Sequence, residues 1–473
     1  MYKYGMPKIC SILCAILLSI PSWAIAGAET PDLKRIFSFS TAKHFTTPVV
    51  VIHGAFGARI RNAKGEEIWP GTQTNLLFSN YDDLALDIDP KTLNAQASDS
   101  EPYALFGKIG SHDFYGKIID TLVHAGGYTA AKIGEPILKD SHAYYVFIYD
   151  WRQDIAFNAK KLDAFIEQIR TDYNDKNLKV DIVAHSLGGL ITRYYVRYGG
   201  KDVLTKHTFH PDFAGGKKLR KVVLIGTPNL GSISGLQNIL TGYRLGLGRI
   251  SSETLLTMPS AYQLLPNPER NWMITPSGKK AGVKLYNPNT WEKFHWAIFD
   301  PNVQNHIRHQ FKNKVKSKLY IEKLKRFFTH QLARAKQFHK ALSVPIKDSP
   351  VHYIVFGGDC ELTPARCLIE TVQGKTMIRL HPENIKTRVK GVNYKKLMLE
   401  PGDGSVTKPS LLALNALDPS NIKTSSMPLA YSMFLCEEHS QLTGNISFQD
   451  NLLNILLLQE TTEDRILESS VPQ

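Results

Sequence analysis

The stretch Leu178–Tyr195 constrains the fold more than any other part of this 473-residue chain. It opens with Val180–Val183, a short and largely apolar run that favours a buried strand. After Gly189, apolar residues recur at the spacing of a helix. Between the two patterns lies AHSLGG, with Ser186 at its centre. The stretch therefore predicts a strand, a sharp turn and a helix, with a serine hydroxyl exposed at the turn.

Small residues on both sides of Ser186 support this turn. In so tight a turn, side chains two positions before and two positions after the serine would collide. Gly188 removes that collision, and Ala184 adds only one methyl group. A strand-to-helix turn with an apical serine is the nucleophile elbow of α/β-hydrolases. A serine in an ordinary glycine-containing loop is the alternative, but the patterns on both sides favour the elbow and a nucleophilic Ser186.

A second loop is predicted to hold an oxyanion donor. The strand-like run Pro48–Ile52 leads directly into HGAFG, residues 53–57. An α/β-hydrolase takes one oxyanion donor from a backbone N–H in such a loop and the other from the residue after the nucleophile. The second donor is therefore Leu187. We interpret His53 as a structural residue.

The remaining patterns predict an α/β fold with an insertion. Further strands are expected at Tyr144–Tyr149, Val222–Ile225 and Val351–Phe356, separated by helical patterns that favour a mostly parallel sheet. Residues 232–350 interrupt the alternation with helices and prolines, as a lid and helical cap would. The predicted organisation is a hydrolase core in two parts, 27–231 and 351–473, around this cap.

A serine nucleophile requires a histidine base and a carboxylate that orients it. In this fold the acid precedes the histidine, and both follow the serine. Asp403 lies in the glycine-flanked turn PGDGSV, and His439 follows it in a loop before a helical pattern. Asp359 directly follows the strand expected at Val351–Phe356 and is a competing candidate for the acid.

The N-terminus predicts export. Lys3 and Lys8 precede the apolar run Ile9–Ile20, and AIA at residues 24–26 is a small-residue cleavage site. Residues 1–26 are therefore interpreted as a signal peptide, with an uncleaved membrane anchor as the alternative. An oxidising compartment permits disulfides. We predict a bridge between Cys360 and Cys367, which leaves Cys436 as a free thiol.

The chain is basic, with a formal net charge of +14. An exported basic protein suggests contact with an anionic membrane surface, and no recognised nucleic-acid-binding module is present. Asn305–Leu342 carries much of this charge, and its apolar residues recur at the spacing of a stripe along one side of a helix. The stripe either lies on lipid or packs on the core. No metal-ligand cluster or dinucleotide-binding loop is present, so no cofactor is expected.

Five motifs occur in a fixed order: AHSLGG, YDWR, GTPNLGS, MPSAYQLLP and PGDGSV. Together they resemble the lecithin:cholesterol acyltransferase family, which includes lysosomal phospholipase A2-like enzymes and phospholipid:diacylglycerol acyltransferases. The resemblance implies a triad of Ser186, Asp403 and His439. It also implies Ala55 as the first oxyanion donor. The chain departs from the animal enzymes in having His-Gly instead of Pro-Gly after the first strand, and the lysine-rich helix matches no family motif.

The resemblance further implies a membrane-contacting subdomain near residues 66–89 and a lid near Ser232–Pro259. The expected protein is an exported serine acyl-ester hydrolase or O-acyltransferase that acts on lipids, with phospholipids as the expected substrates. A neutral-lipid lipase or carboxylesterase is the alternative enzyme. A non-catalytic lipid-binding protein on a hydrolase fold is the alternative of another class.

Overall fold

The computed structural model describes residues 30–41, 47–97, 99–109, 112–113, 115–137, 141–245, 247–346, 348–414 and 426–457. The predicted signal peptide, residues 1–26, lies outside these ranges. Among the residues inside them, no helix is both long and apolar enough to span a membrane.

A sheet of seven parallel strands forms the centre of the molecule. In chain order the strands are β1 Val49–Ile52, β2 Thr129–Ala130, β3 Ala143–Phe147, β4 Val180–His185, β5 Leu219–Ile225, β6 Tyr353–Gly358 and β7 Leu429–Leu435. Their order across the sheet is β7-β6-β5-β4-β1-β3-β2, and every pairing is parallel. The prediction of an α/β-hydrolase with a mostly parallel sheet is confirmed.

Helices cover both faces of this sheet, and further helices lie in the segment between β5 and β6. In chain order they are α1 Leu33–Thr41, α2 Gln73–Phe78, α3 Gly116–Asp120, α4 Ile155–Asp172, α5 Leu187–Tyr198, α6 Ile233–Thr241, α7 Ser252–Leu255, α8 Pro259–Gln263, α9 Pro288–Lys293, α10 Pro301–Gln310, α11 Lys314–Ser343, α12 Tyr394–Met398, α13 Lys408–Leu411 and α14 Ile446–Leu457. Helices α4 and α5 pack on one face, and α1, α3 and α14 pack on the other.

The apolar stripe of α11 packs inside the protein. Phe327, Phe328 and Leu332 are fully buried in the core that α11 shares with α6 and α9. Farther along the helix, Phe338 and Leu342 join the core next to the central sheet. Of the two interpretations of this stripe, the structure therefore agrees with core packing, and the exposed lysines occupy the outer face of the helix.

Two small antiparallel sheets extend the core near the ends of its strands. The first consists of Ala58–Asn62, Glu67–Trp69 and Ser100–Leu105. Buried Arg152 holds this region in place, since its guanidinium pairs with Asp150 and donates to the Leu84 carbonyl and the Ser100 hydroxyl. The second pairs Glu361–Pro364 with Leu399–Gly402, immediately before Asp403.

The predicted disulfide is wrong. Cys360 is bonded to Cys436, and Cys367 is a buried free thiol. Cys360 and Cys436 follow the carboxyl ends of the neighbouring strands β6 and β7, which brings their Cα atoms to 5.0 Å. Cys367 instead begins the strand Cys367–Val372, and its thiol donates to the carbonyl of Trp272. Closeness in the sheet, not closeness in sequence, selects the partner.

We predict that peptide mapping without reduction recovers Cys360 linked to Cys436, with Cys367 unreactive until the protein is denatured. Replacing both bridged residues by serine should lower the free energy of unfolding by about 2–4 kcal/mol, because the bridge closes a long loop in the unfolded chain. Chemical denaturation measures this loss. A peptide that links Cys360 to Cys367 would contradict the structure.

Candidate active site

The elbow forms where β4 passes into α5. Ser186 has φ 51° and ψ −120°, in the left-handed region that non-glycine residues rarely adopt. Its backbone N–H donates to the carbonyl of Ile225 at 2.8 Å. A Cβ at position 188 would lie 2.4 Å from the carbonyl oxygen of His53. This close approach explains why glycine occupies the second position after the serine. The sharp turn predicted around Ser186 is thus present.

Ser186, His439 and Asp403 form one hydrogen-bonded chain. The hydroxyl of Ser186 lies 3.1 Å from Nε2 of His439. On the other side of the ring, Nδ1 lies 2.8 Å from a carboxylate oxygen of Asp403. The second oxygen of Asp403 accepts hydrogen bonds from the N–H groups of Ser405 and Val406 at 3.0 and 2.7 Å. This arrangement leaves Nε2 as the acceptor for the serine proton.

The structure separates the two candidate acids. Asp403 is 1% exposed and faces the imidazole. Asp359 instead forms an ion pair with Lys408 at 2.7 Å. The backbone also joins the Asp403 turn to the histidine loop, since the N–H of His439 donates to the carbonyl of Asp403 at 2.9 Å. Of the two, only Asp403 is placed to orient His439.

The electrostatics of His439 suit a general base. Burial lowers the pKa of its imidazole, but the charge of Asp403 and the hydrogen bond that the imidazole donates to that carboxylate outweigh burial. The pKa of His439 is therefore raised above its ordinary value. A neighbouring carboxylate that favours the imidazolium also stabilises the form that exists after the serine proton has been transferred.

The two expected oxyanion donors belong to the loop after β1 and to the elbow itself. Ala55 lines the cavity at Ser186. In the described part of the chain, no acceptor takes its N–H. Leu187 is the first residue of α5, where an N–H has no partner within the helix. Both groups are thus free to bind an oxyanion that forms next to the Ser186 hydroxyl.

An amphiphilic cavity of about 500 Å³ opens above the serine. Its apolar lining residues include Phe56, Trp69, Phe106, Tyr243, Leu245 and Leu264. Its polar lining residues include Ser186, Asp403, His439, Ser232, Asn238, Glu361 and Glu438. A cavity lined by both kinds of residue can accommodate a molecule that has an acyl chain and a polar group.

Three residues near the serine were not assigned a catalytic role from sequence. His53 stacks on Tyr149 with ring centroids 4.1 Å apart. It is fully buried, which lowers its pKa to about 4, in agreement with a structural role. Tyr115 contacts both Gly54, next to Ala55, and His185 of the elbow, and its hydroxyl oxygen lies 3.0 Å from Nδ1 of His185. Tyr115 belongs to no motif, so its position gave no sequence signal.

Within the described ranges, no group of three or more His, Cys, Asp or Glu side chains is placed to hold a metal ion.

Similarity to solved structures concerns the fold. A chain of the Tle4–Tli4 complex is 14% identical, with a TM-score of 0.51, and the likeness covers 87% of this chain and 98% of that one. Lipase 1 from Pelosinus fermentans is 13% identical over 88% of this chain and 100% of its own, with a TM-score of 0.35. Staphylococcus hyicus lipase is 13% identical over 90% and 97%, with a TM-score of 0.33. No curated protein matches the chain.

The family comparison covers the catalytic region. Residues 131–408 match the model of the lecithin:cholesterol acyltransferase family. This segment contains Ser186 and Asp403, whereas His439 lies beyond it. Because the match spans more than half of the chain, this protein belongs to the lecithin:cholesterol acyltransferase family.

Proposed function

We propose that this protein is an exported serine acyl-ester hydrolase or O-acyltransferase that acts on phospholipids through an acyl-enzyme. Membership of the family supports a lipid-ester hydrolase or acyltransferase. The observation that carries the finer proposal is the hydrogen-bonded chain from Ser186 through His439 to Asp403, at the base of an amphiphilic cavity. The same chain argues against a non-catalytic lipid-binding protein, which would have no need of it.

Acylation begins at Ser186. Its oxygen attacks the acyl carbonyl carbon while Nε2 of His439 takes the hydroxyl proton. The carbonyl oxygen becomes an oxyanion, which the N–H groups of Ala55 and Leu187 stabilise. Collapse of this intermediate breaks the ester bond, and His439 returns the proton to the leaving alcohol. Asp403 holds the tautomer and stabilises the imidazolium throughout.

Deacylation runs the same steps in reverse order with a new nucleophile. His439 removes a proton from water or from an acceptor alcohol, whose oxygen attacks the acyl-enzyme carbonyl. The oxyanion forms again at the same donors, and its collapse breaks the bond to the serine oxygen, which takes the proton back from His439. A fatty acid or a new ester leaves, and Ser186 is free again. Water gives a phospholipase A reaction, and an alcohol gives acyl transfer.

The cavity walls support a lid within residues 232–350. Ser232, Asn238, Tyr243 and Leu245 all line the cavity. These residues lie outside the central sheet, in or next to α6 and the short strand Tyr243–Leu245. Tyr243 stacks on Phe56 of the Ala55 loop with ring centroids 4.2 Å apart. We assign this part of the cap as the wall that receives the acyl chain.

An exposed apolar rim beside this wall fits a membrane surface. The rim consists of Leu77, Phe78 and Leu247, which are 44%, 77% and 79% exposed. Leu77 and Phe78 end α2, which packs against the hairpin strand Gly248–Ile250. The paired strand of that hairpin contains Tyr243 and Leu245 of the cavity wall. A lipid that leaves the membrane at the rim would therefore meet an apolar path to Ser186.

Export is supported by two features. Residues 1–26 have the pattern of a signal peptide. The Cys360–Cys436 disulfide fits an oxidising compartment.

Replacing Ser186 by alanine tests the proposed function. The variant should lose at least about 10³-fold in kcat on phospholipid while keeping its thermal stability, because the hydroxyl is the nucleophile and not a packing group. A fluorophosphonate probe should label the wild type at Ser186 and leave the variant unlabelled. Near-full hydrolysis by the variant would end this assignment, and wild type that cleaves only neutral glycerides would favour the lipase alternative.

The two acids provide a matched pair of variants. Asp403→Asn should lower kcat about 10⁴-fold with little loss of stability, since shape is kept and control of the tautomer is lost. His439 must be neutral to accept a proton, so the wild-type rate falls as the pH drops below its raised pKa. Without the Asp403 charge, this acidic limb should move to lower pH.

Asp359→Asn is the control for that experiment. It breaks the ion pair with Lys408 but leaves His439 untouched, so its kcat should stay within about tenfold of wild type with an unchanged pH profile. The reverse ranking, measured on folded proteins, would move the acid to Asp359.

Serine substitutions at Leu77, Phe78 and Leu247 test the rim. The triple variant should bind phosphatidylcholine vesicles less and hydrolyse them more slowly, yet cleave a soluble short-chain ester at the wild-type rate, because only the contact with the membrane is removed. Val315→Ser with Leu319→Ser is the control, since these residues are 68% and 66% exposed at the start of α11. Equal vesicle binding by both variants would reject the rim as the contact.

A further inference from the structure

Two tyrosine hydroxyls hold the peptide group that precedes the Ala55 loop. The hydroxyl of Tyr115 accepts a hydrogen bond from the N–H of Gly54 at 2.6 Å. The hydroxyl of Tyr149 donates to the carbonyl of His53 at 2.7 Å. The N–H and the C=O of the His53–Gly54 peptide are therefore both fixed by buried phenols.

The next peptide group carries the proposed oxyanion donor. The carbonyl of Gly54 accepts from Nδ1 of His53 at 2.8 Å and from the N–H of Gly57 at 3.2 Å. The C=O and N–H of a planar trans peptide point in opposite directions. Fixing the carbonyl of Gly54 thus sets the direction of the Ala55 N–H, provided that the preceding peptide does not rotate.

Tyr115 also reaches the elbow. Its hydroxyl lies 3.0 Å from Nδ1 of His185, the residue before Ser186. A hydroxyl has one proton and two acceptor lone pairs, so this oxygen can accept from Gly54 and share a second hydrogen bond with His185. Burial lowers the pKa of His185 to about 3, so the imidazole is neutral, and its tautomer decides which partner donates. One hydroxyl therefore connects the loop of the first oxyanion donor to the turn that presents the second.

We propose that Tyr115 is a positioning residue that sets the Ala55 N–H relative to the elbow, so that both oxyanion donors are in place before the reaction begins. This inference rests on the proposed serine mechanism. Donors that are fixed in advance stabilise the developing oxyanion more than the bound substrate. Loss of the hydroxyl should consequently lower kcat and leave KM nearly unchanged.

A packing role for Tyr115 makes a different prediction. Tyr145 in β3 is a buried tyrosine whose hydroxyl has no hydrogen-bond partner among the described residues. Tyr145→Phe therefore removes a buried hydroxyl from the core without touching the oxyanion loop. It is the matched control for Tyr115→Phe.

The experiment compares wild type, Tyr115→Phe and Tyr145→Phe on a soluble short-chain ester. We expect Tyr115→Phe to lower kcat about 10–100-fold with KM within about threefold of wild type, a smaller loss than removal of a whole donor. An alkyl trifluoromethyl ketone, which forms a tetrahedral oxyanion on the serine, should bind more weakly by a similar factor. Tyr145→Phe should match wild type in both measurements.

If Tyr115→Phe does not fold, Tyr149→Phe releases the other end of the same peptide and should show the same split between kcat and KM.

Equal kcat and equal ketone affinity in Tyr115→Phe and Tyr145→Phe would overturn the inference, as would a loss that falls on KM alone. Labelling of wild-type Ser186 by a fluorophosphonate separates this outcome from failure of the proposed function. A wild type that labels and hydrolyses ester, beside a Tyr115→Phe variant that does the same, refutes only the role of Tyr115. A wild type that does not label refutes the serine mechanism itself.

Discussion

The site depends on one constraint, the close contact between the backbone of the elbow and the backbone of the loop after β1. A Cβ at position 54 would lie 2.8 Å from the Cβ of Ser186, and one at position 188 would lie 2.4 Å from the carbonyl oxygen of His53. Glycine on both sides lets the loop and the elbow meet without an intervening side chain. The contact is possible because β1 and β4 are neighbours in the sheet, with Ile52 paired to Ala184. Sheet order therefore places Ala55 beside the serine before any side chain of the site is considered.

The other half of the sheet, β5 to β7, positions His439 and Asp403 by the same principle. A Cβ at position 226 would lie 2.9 Å from the ring of His439, so the end of β5 packs directly against the imidazole. The ends of β6 and β7 are joined by the Cys360–Cys436 disulfide, and His439 lies three residues after Cys436. The position of His439 is thus restrained by a covalent bond, by the backbone of its neighbours and by Asp403. Ligand crevices at the carboxyl ends of parallel strands have this general origin.

Sequence reasoning succeeded where the signal is local. The elbow, the central parallel sheet and the glycine-flanked turn of Asp403 follow from residues close together in the chain, and the structure contains each of them.

Sequence reasoning failed where two contacting residues are far apart in the chain. The disulfide joins residues 76 positions apart, and Tyr115 contacts residues 61 and 70 positions away. Strand β7 was also missed, since it lies at the edge of the sheet and its first four residues are exposed, which leaves no buried apolar pattern. Spacing along the chain contains no information about which strand ends become neighbours.

Buried charge ties the end of α11 to α5. Arg193 and Arg197 of α5 are at most 1% exposed, and no carboxylate among the described residues pairs with either. Their guanidinium groups donate instead to the carbonyls of Ala341, Leu342 and Val344, where α11 ends. The last carbonyls of a helix lack partners within it and carry the negative end of its dipole, so they can satisfy a cation that has left water. Burying an arginine without such partners would cost several kcal/mol. The end of α11 is therefore fixed to the helix that follows Ser186, and separating the two would remove three of the hydrogen bonds that these guanidinium groups donate.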